Sequence, residues 1–192
     1  SYLNLYGSKV ESIDFSASYT METASFGSFT LSALATRNLH YIQQLSAAVP
    51  SREYVDTPAV SGGSVKFKGN ATLSWDRGPW TGSWTTYYYS DYGQYGPPFT
   101  TSMVYLNPQG GLGARIPAQH FHDMFMGYRF ADAGVGANWR QQVLDRVEMQ
   151  LGIRNLFNKP GAFDAYFSFN GYMSPWARLE LRTYWLNLGK GF

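Results

Sequence analysis

Histidines and tyrosines offer most of the chemistry in this chain. His120 and His122 stand two residues apart. On a strand that spacing puts both imidazoles on one face, where they could share a metal ion. Asp123 then falls on the opposite face and no third ligand is evident, so interfacial histidines are expected rather than a metal centre. An enzyme would need His40, His120 or His122 beside a serine or aspartate. No nucleophile motif accompanies them, and neither catalysis nor a cofactor is expected. The stretch Gly110-Gly111-Leu112-Gly113 lacks a following Lys-Ser/Thr and reads as a flexible loop rather than a phosphate cradle.

The aromatic cluster Tyr87, Tyr88, Tyr89, Tyr92, Tyr95 and Phe99 leads into a long Gly/Pro-bearing segment. Its rings could stack on a flat ligand such as a sugar or an aryl chelate. They could equally form a girdle at a membrane rim with ordinary loop packing behind it. Tyr87 and Tyr89 share a strand face, so only alternate members can line one surface. The candidate ligand contacts are Tyr87, Tyr89, Tyr92, Tyr95, Phe99 and Arg154. The charges Lys66, Lys68, Arg146, Glu148 and Arg154 are expected on the polar side of the strands, guiding an anion or binding water.

These residues must be positioned by strands. In residues 11–22, Ile13, Phe15, Ala17, Tyr19 and Met21 alternate with Ser12, Asp14, Ser16, Ser18 and Thr20. Residues 28–42 return with Phe29, Leu31, Ala33, Ala35, Leu39 and Tyr41 on one side. In 65–76, Val65, Phe67, Gly69, Ala71, Leu73 and Trp75 alternate with Lys66, Lys68, Asn70, Thr72, Ser74 and Asp76. After a tight turn at Arg77-Gly78-Pro79, residues 80–91 run back. Residues 118–131 put Met124, Met126, Tyr128 and Phe130 on the apolar side. In Leu144–Asn158, Val147, Met149, Leu151 and Ile153 alternate with charged or polar neighbours. A helical stripe through Trp139, Val143, Val147 and Leu151 competes there, but would leave Met149 and Ile153 off its face. The final strand is expected over Ala177–Phe192. With a stub at residues 1–6, about eight strands are predicted.

Composition narrows the setting. The chain has 192 residues, a formal charge of +2 and no cysteine, which argues against nucleic acid, disulfides and thiolate metal sites. Aromatic residues make up 18% and charged residues only 15%. No apolar run approaches the ~20 residues of a spanning helix. Such a balance fits a transmembrane β-barrel, and also a soluble β-sandwich or lectin. Connection lengths discriminate. Those after residues 22, 76 and 131 are shorter and those after 42, 91 and 157 longer, so an antiparallel meander collects the long loops at one end, as outer-membrane barrels do. A six-residue stub cannot cover a full terminal strand, so the wall is expected to be completed by another polypeptide or another part of the same gene product, the alternative being a longer first strand and a barrel that closes at eight.

Residues 151–160, LGIRNLFNKP, resemble TonB-dependent outer-membrane receptors, whose penultimate strand ends in a similar Asn-Leu-Phe-Asp/Asn-Lys run. Asn4-Leu5 followed by Ile13-Asp14-Phe15 is similar to another strand-end pattern of that family, with Ser12 in place of its usual glycine. His122-Asp123 before Tyr128-Arg129-Phe130 is a third likeness. The last is terminal Phe192 after Leu188, Leu186 and Tyr184, similar to the signal read by the outer-membrane insertion machinery. Lys190 interrupts that series, and the family's Gly-Arg stands here as Ala177-Arg178. The resemblance implies the C-terminal part of a 22-stranded barrel, lacking the plug and the first strands. It implies as partners the remaining barrel and plug polypeptide, the TonB complex acting through that plug, the insertion machinery, the lipid bilayer and a small-molecule ligand, and as location the outer membrane of a Gram-negative bacterium. The implied function is import of a scarce nutrient: a ferric siderophore or other chelate, an oligosaccharide or a peptide. The contrasting expectation is an autonomous small barrel serving as an adhesin or structural protein.

Overall fold

Strict alternation of apolar and small polar residues produces long, paired strands. In this computed structural model the described residues are 7–44, 46–56, 64–93, 115–132, 138–164 and 173–191. The strands are β1 (Gly7–Thr23), β2 (Gly27–Gln44), β3 (Arg52–Glu53), β4 (Phe67–Arg77), β5 (Trp80–Tyr89), β6 (Tyr92–Gly93), β7 (Arg115–Ile116) and β8 (Gln119–Arg129). A short helix α1 (Trp139–Leu144) precedes β9 (Val147–Arg154) and β10 (Thr183–Lys190). One sheet runs β1-β2-β4-β5-β8-β9-β10, with β3 on the end of β2, while β6 pairs with β7 apart from it. Every long pairing is antiparallel. The protein is all-β, and the sheet does not close: β1 and β10 have no strand on their outer edges among the described residues.

Seven long strands match seven of the predicted ones; the stub at 1–6 lies outside the described residues. The long connections do gather at one end, with residues 24–26 and 78–79 as tight turns at the other. Gly27 and Gly78 take left-handed φ values of 85° and 57° there. At Gly27 a Cβ would collide with the Asp76 carbonyl and with Arg77.

Four details differ from the sequence reading. The stripe through Trp139 and Val143 is helical after all, but only as far as Leu144; Arg146, at φ 50°, breaks it before the strand begins. The last strand begins at Thr183 rather than Ala177, because Arg178 is drawn into a side-chain pair on β8. A one-residue bulge at Leu39 shifts the β1–β2 register between Glu11 and Ser12. It reverses the facing of the β2 residues beyond it, so Tyr41 joins the inner side opposite Val10. Val65 is not on β4 but wholly buried in the loop core.

Cross-strand partners share a face, so the register defines two surfaces. On the outer face, Tyr19, Leu31, Leu73, Trp84, Met124, Ile153 and Tyr184 succeed one another across the sheet. Met21, Phe29, Trp75, Gly82, Met126, Leu151 and Leu186 form a second such row. Large side chains of this face are exposed on every long strand. The inner face carries serine, threonine and asparagine, such as the hydrogen-bonded pairs Thr20–Thr30 and Thr72–Thr85. The few buried apolar residues (Tyr54, Val55, Val65, Tyr92, Ile116 and Phe121) lie toward the long-loop end. Among the described residues no helix is long and apolar enough to cross a membrane, which says nothing about crossing by strands.

Candidate functional site

On the inner face, near the long-loop end, β4, β5, β8 and β9 bring several candidate residues together. Tyr89 pairs with Lys68 and Tyr87 with Asn70. Tyr88 pairs with Gly69 and His120 and so takes the outer face, as the alternation requires. Leu34, Thr36, Lys68, Asn70, Tyr87 and Tyr89 surround a shallow pocket of about 300 Å³. Tyr87 also borders a second pocket, of about 430 Å³, with Asp123, Arg154, Arg178, Leu179 and Glu180. Together they form a trough with Tyr87 as the ridge between its halves.

An ion pair sets the floor of the second half. Arg178 Nη1 donates to both carboxylate oxygens of Asp123, at 2.6 and 2.8 Å. The same guanidinium lies 4.5 Å from the centre of the Tyr87 ring, a cation–π stack that holds the ring's orientation. Both partners are largely shielded, at 24% and 22% side-chain exposure, which makes the pair stiffer than an open surface bridge. Arg154 borders the trough with no carboxylate partner among the described residues. Tyr87 and Tyr89 thus stand beside Lys68 on one side of the ridge, and Arg154 and Glu180 lie on the other; the Lys68 half can take a flat, anionic ligand.

The turn after β9 fixes this arrangement. Asn155 is 1% exposed and takes a left-handed φ of 51°, a conformation asparagine tolerates better than most residues. Its backbone N–H donates to Asp123 Oδ1 at 2.9 Å. Its side-chain amide donates to the carbonyls of Lys159 and Glu180, at 2.8 and 3.2 Å, and accepts the Lys159 N–H at 2.9 Å. Asn158, also left-handed at 52°, accepts the Arg182 N–H at 2.9 Å. The Asn-Leu-Phe-Asn-Lys run is therefore a structural clamp. It binds β8, β9 and the approach to β10 together and presents Asp123 to Arg178.

Above the trough the long loops build a small cap. Tyr92, Val65 and Ile116 are fully buried together, with Ala162 and Trp176 packed on them. Tyr92 meets the Trp176 ring edge-on at 4.9 Å and donates its hydroxyl to Asp164 at 2.6 Å. Burial, and then the Asp164 carboxylate, push its ionisation far above the usual phenol range. Tyr92 therefore serves the cap core and offers no face to a ligand. Gln119 bridges to Ser174 and to the Ala162 N–H. Asp56 ties three segments, accepting from Arg115 at 2.7 Å and pairing with Lys66 at 3.0 Å. Burial opposes its ionisation, but the hydrogen bonds from Arg115 and Lys66 outweigh that and hold its carboxyl below the usual range.

Tyr95, Phe99 and Phe192 lie outside the described residues, as do Asn4-Leu5 and Gly110 to Gly113. Tyr184, Leu186 and Leu188 all lie on the outer face and are 60% or more exposed. Lys190, on the same side, turns toward the end of α1, donating to the Gln142 and Val143 carbonyls at 3.3 and 3.1 Å. His40 is paired with Glu53 at 2.8 Å, and no cluster of three potential metal ligands occurs among the described residues. Sequence reasoning placed Asp123 on the inner face but missed its pairing with Arg178. Nothing local links two residues 55 positions apart. Comparisons with models of known protein families, with curated proteins and with solved structures find no match to this chain.

Proposed function

We propose that this chain is part of the wall and outer loops of an outer-membrane barrel that imports a scarce nutrient in a TonB-dependent manner. One observation carries the reading: an exposed apolar face, continuous across all seven long strands, backed by a mainly polar face of serines, threonines and asparagines that also carries Leu34, Phe121, Phe125 and Trp185. Soluble proteins seldom expose apolar patches beyond a few hundred Å². Aromatic residues mark both margins. Trp75, Trp80, Tyr128 and Phe130 stand at the tight-turn end, with Trp80–Tyr128 and Tyr128–Phe130 in contact at 4.6 and 4.9 Å. Phe67 and Tyr88, 5.9 Å apart, stand at the long-loop end. From Trp80 to Tyr88 along β5 is roughly 27 Å of strand. With ordinary strand tilt that suits an apolar band about 25 Å tall.

Two open edges cannot stand in lipid, so β1 and β10 pair with further strands of the barrel, supplied by another polypeptide or by another part of the same gene product. The plug of that barrel is the element on which the TonB complex pulls. The outer row ending in Tyr184, Leu186 and Leu188 serves insertion, and the trough of Tyr87, Tyr89 and Arg154 contacts the ligand. The chelate class named by the resemblance suits the half lined by Tyr87, Tyr89 and Lys68 better than a neutral sugar does.

Three measurements test the layers of this reading. The chain, produced in cells and mixed with liposomes, should float with lipid; a stable monomer that needs no detergent sinks the membrane wall. It should copurify with a larger polypeptide; a heat-modifiable closed barrel formed by residues 1–192 alone sinks the shared wall. Nutrient uptake should stop when the TonB complex is removed, and unchanged uptake sinks the energy coupling.

A further inference from the structure

A second chemical cluster lies on the opposite, outer face, at the long-loop margin of the apolar band. His122 sits between Trp84 and Phe157, with ring centres 5.8 and 5.0 Å away, and His120 meets it edge-on at 5.7 Å. The indole N–H of Trp84 points to His122 Nδ1 at 3.2 Å. An indole can only donate, so Nδ1 accepts, sharing its lone pair with the Thr86 hydroxyl at 3.0 Å, and the proton of the neutral ring sits on Nε2. Lys159 Nζ lies 3.4 Å from His120 Nδ1. An ammonium also only donates, which places the His120 proton on Nε2 too.

The cluster is thus a set of donors: two imidazole N–H groups and the remaining protons of one ammonium. Among the described residues none of these meets an acceptor. Asp123 is the adjacent carboxylate, but it belongs to the inner face and its oxygens are held by Arg178. The positions are built rather than incidental. The Leu156 N–H docks the turn on the His122 carbonyl at 2.7 Å, and the Asn155 side chain grips the Lys159 N–H. Phe157, beside these donors, is 61% exposed.

Donors grouped around an ammonium call for a multiply accepting anion. Exposed aromatic rings beside them call for an apolar neighbour. A single molecule that supplies both is a lipid. We propose that Lys159, His120 and His122 bind the phosphate of an anionic lipid headgroup, with Phe157 and Trp84 against its apolar part. This rests on the membrane-wall reading above and adds a lipid-selective site to it.

The test uses the full chain, with its copurifying polypeptide, in liposomes of phosphatidylcholine with or without phosphatidylglycerol. Flotation is read first, and retained lipid is then counted by native mass spectrometry. Phosphatidylglycerol should be retained in preference to phosphatidylcholine. Lys159→Gln should weaken that preference about fivefold, the worth of one surface cation, and Lys159→Arg should keep it. The double change His120→Gln with His122→Gln should lower it further while flotation stays normal. Inorganic phosphate should fail to displace the lipid at matched concentration. Equal retention of the two lipids, an unaffected Lys159→Gln variant, or phosphate binding as tightly as lipid overturns the proposal while leaving the wall intact. Failure to float with either lipid overturns the wall reading and this site with it.

Discussion

The cap and the wall of this protein place their apolar groups in opposite ways. The cap, made from loops around Tyr92, Val65 and Ile116, buries its apolar groups and satisfies its polar ones. It is folded by the rules of water. The wall does the reverse. Leu31, Leu73, Leu151 and Leu186 point out across the sheet and are about half exposed or more, while the inner face is mainly polar. Hydrogen-bonded registers, not a dry core, hold those strands. The contrast teaches that exposure alone is no sign of weak packing. The same kind of apolar residue is buried in one region and displayed in the other.

The largest expected effect separates the two regions from the cap side. Tyr92→Ala removes a fully buried ring and the hydroxyl donor to Asp164, at about 3–5 kcal/mol of local stability. Limited proteolysis should then cut the loops on either side of β6 and β7 while flotation with liposomes persists. Tyr92→Phe should cost about 1–3 kcal/mol by leaving Asp164 without that donor. Loss of flotation in Tyr92→Ala would show that cap and wall fold as one unit.

From the wall side, Leu151→Arg places a charge on the outer face between Met126 and Leu186. In a bilayer it should cost about 2–4 kcal/mol, seen as a lower urea midpoint for the chain folded into liposomes. Asn187→Arg, one residue along β10 but on the inner face, should change the midpoint little. Equal effects at the two positions would break the comparison.

Much of the wall was legible in the sequence because its signal is local. Period-2 alternation needs only neighbours, and Ile13 to Met21 or Phe67 to Trp75 declare their faces outright. Turn chemistry at Gly78-Pro79 is equally local. The errors fall where a non-local contact decides. Leu39 carries no mark of a bulge; only the pairing with Glu11 and Ser12 shows the extra residue. Ala177–Arg182 has strand-like composition, yet Arg178 is claimed by Asp123 across the trough. Tyr92 shares its type and spacing with Tyr87 and Tyr89, and it became cap core because Trp176 and Asp164 arrive from far along the chain. Of the candidate site, Tyr87, Tyr89 and Arg154 come to one trough, and the ion pair that shapes it was invisible.

The clamp joining the regions should show an intermediate effect. Asn155→Ala loses three side-chain hydrogen bonds and the tolerance for a left-handed backbone, at about 1–3 kcal/mol. Asn155→Gly restores only the backbone freedom. Hydrogen exchange should quicken at the Leu156 and Lys159 amides in both variants, more so in the alanine one. Equal rates in the two would show that backbone strain contributes nothing there. If the trough depends on this clamp, ligand affinity falls along with amide protection; if affinity holds, Arg178 keeps Asp123 in place unaided.

The smallest effect is one of pH, and in the cap it turns on Asp56. Asp56 is ionised more readily in the folded cap than in an unfolded chain, since Arg115 and Lys66 reward its charge against the opposing effect of burial. A depressed folded value contributes stability above the unfolded aspartate range, near pH ~4. That stability disappears as pH falls through the folded value. Arg115 is half exposed, so the contribution is modest, below about 1 kcal/mol. Acidification from about pH 6 to about pH 3 should therefore lower the protection of the Gly93 amide relative to its intrinsic exchange rate at each pH; that amide is bonded to the Asp56 carbonyl at 2.7 Å. Protection of the β4–β5 ladder amides should not change, because Asp56 makes no bond to that ladder. Asp56→Asn should exchange faster near neutral pH and lose the acid response, since an amide cannot titrate. A variant that keeps the acid response would assign it to another carboxylate, with Asp91, the second partner of Arg115 at 2.6 Å, the next to replace.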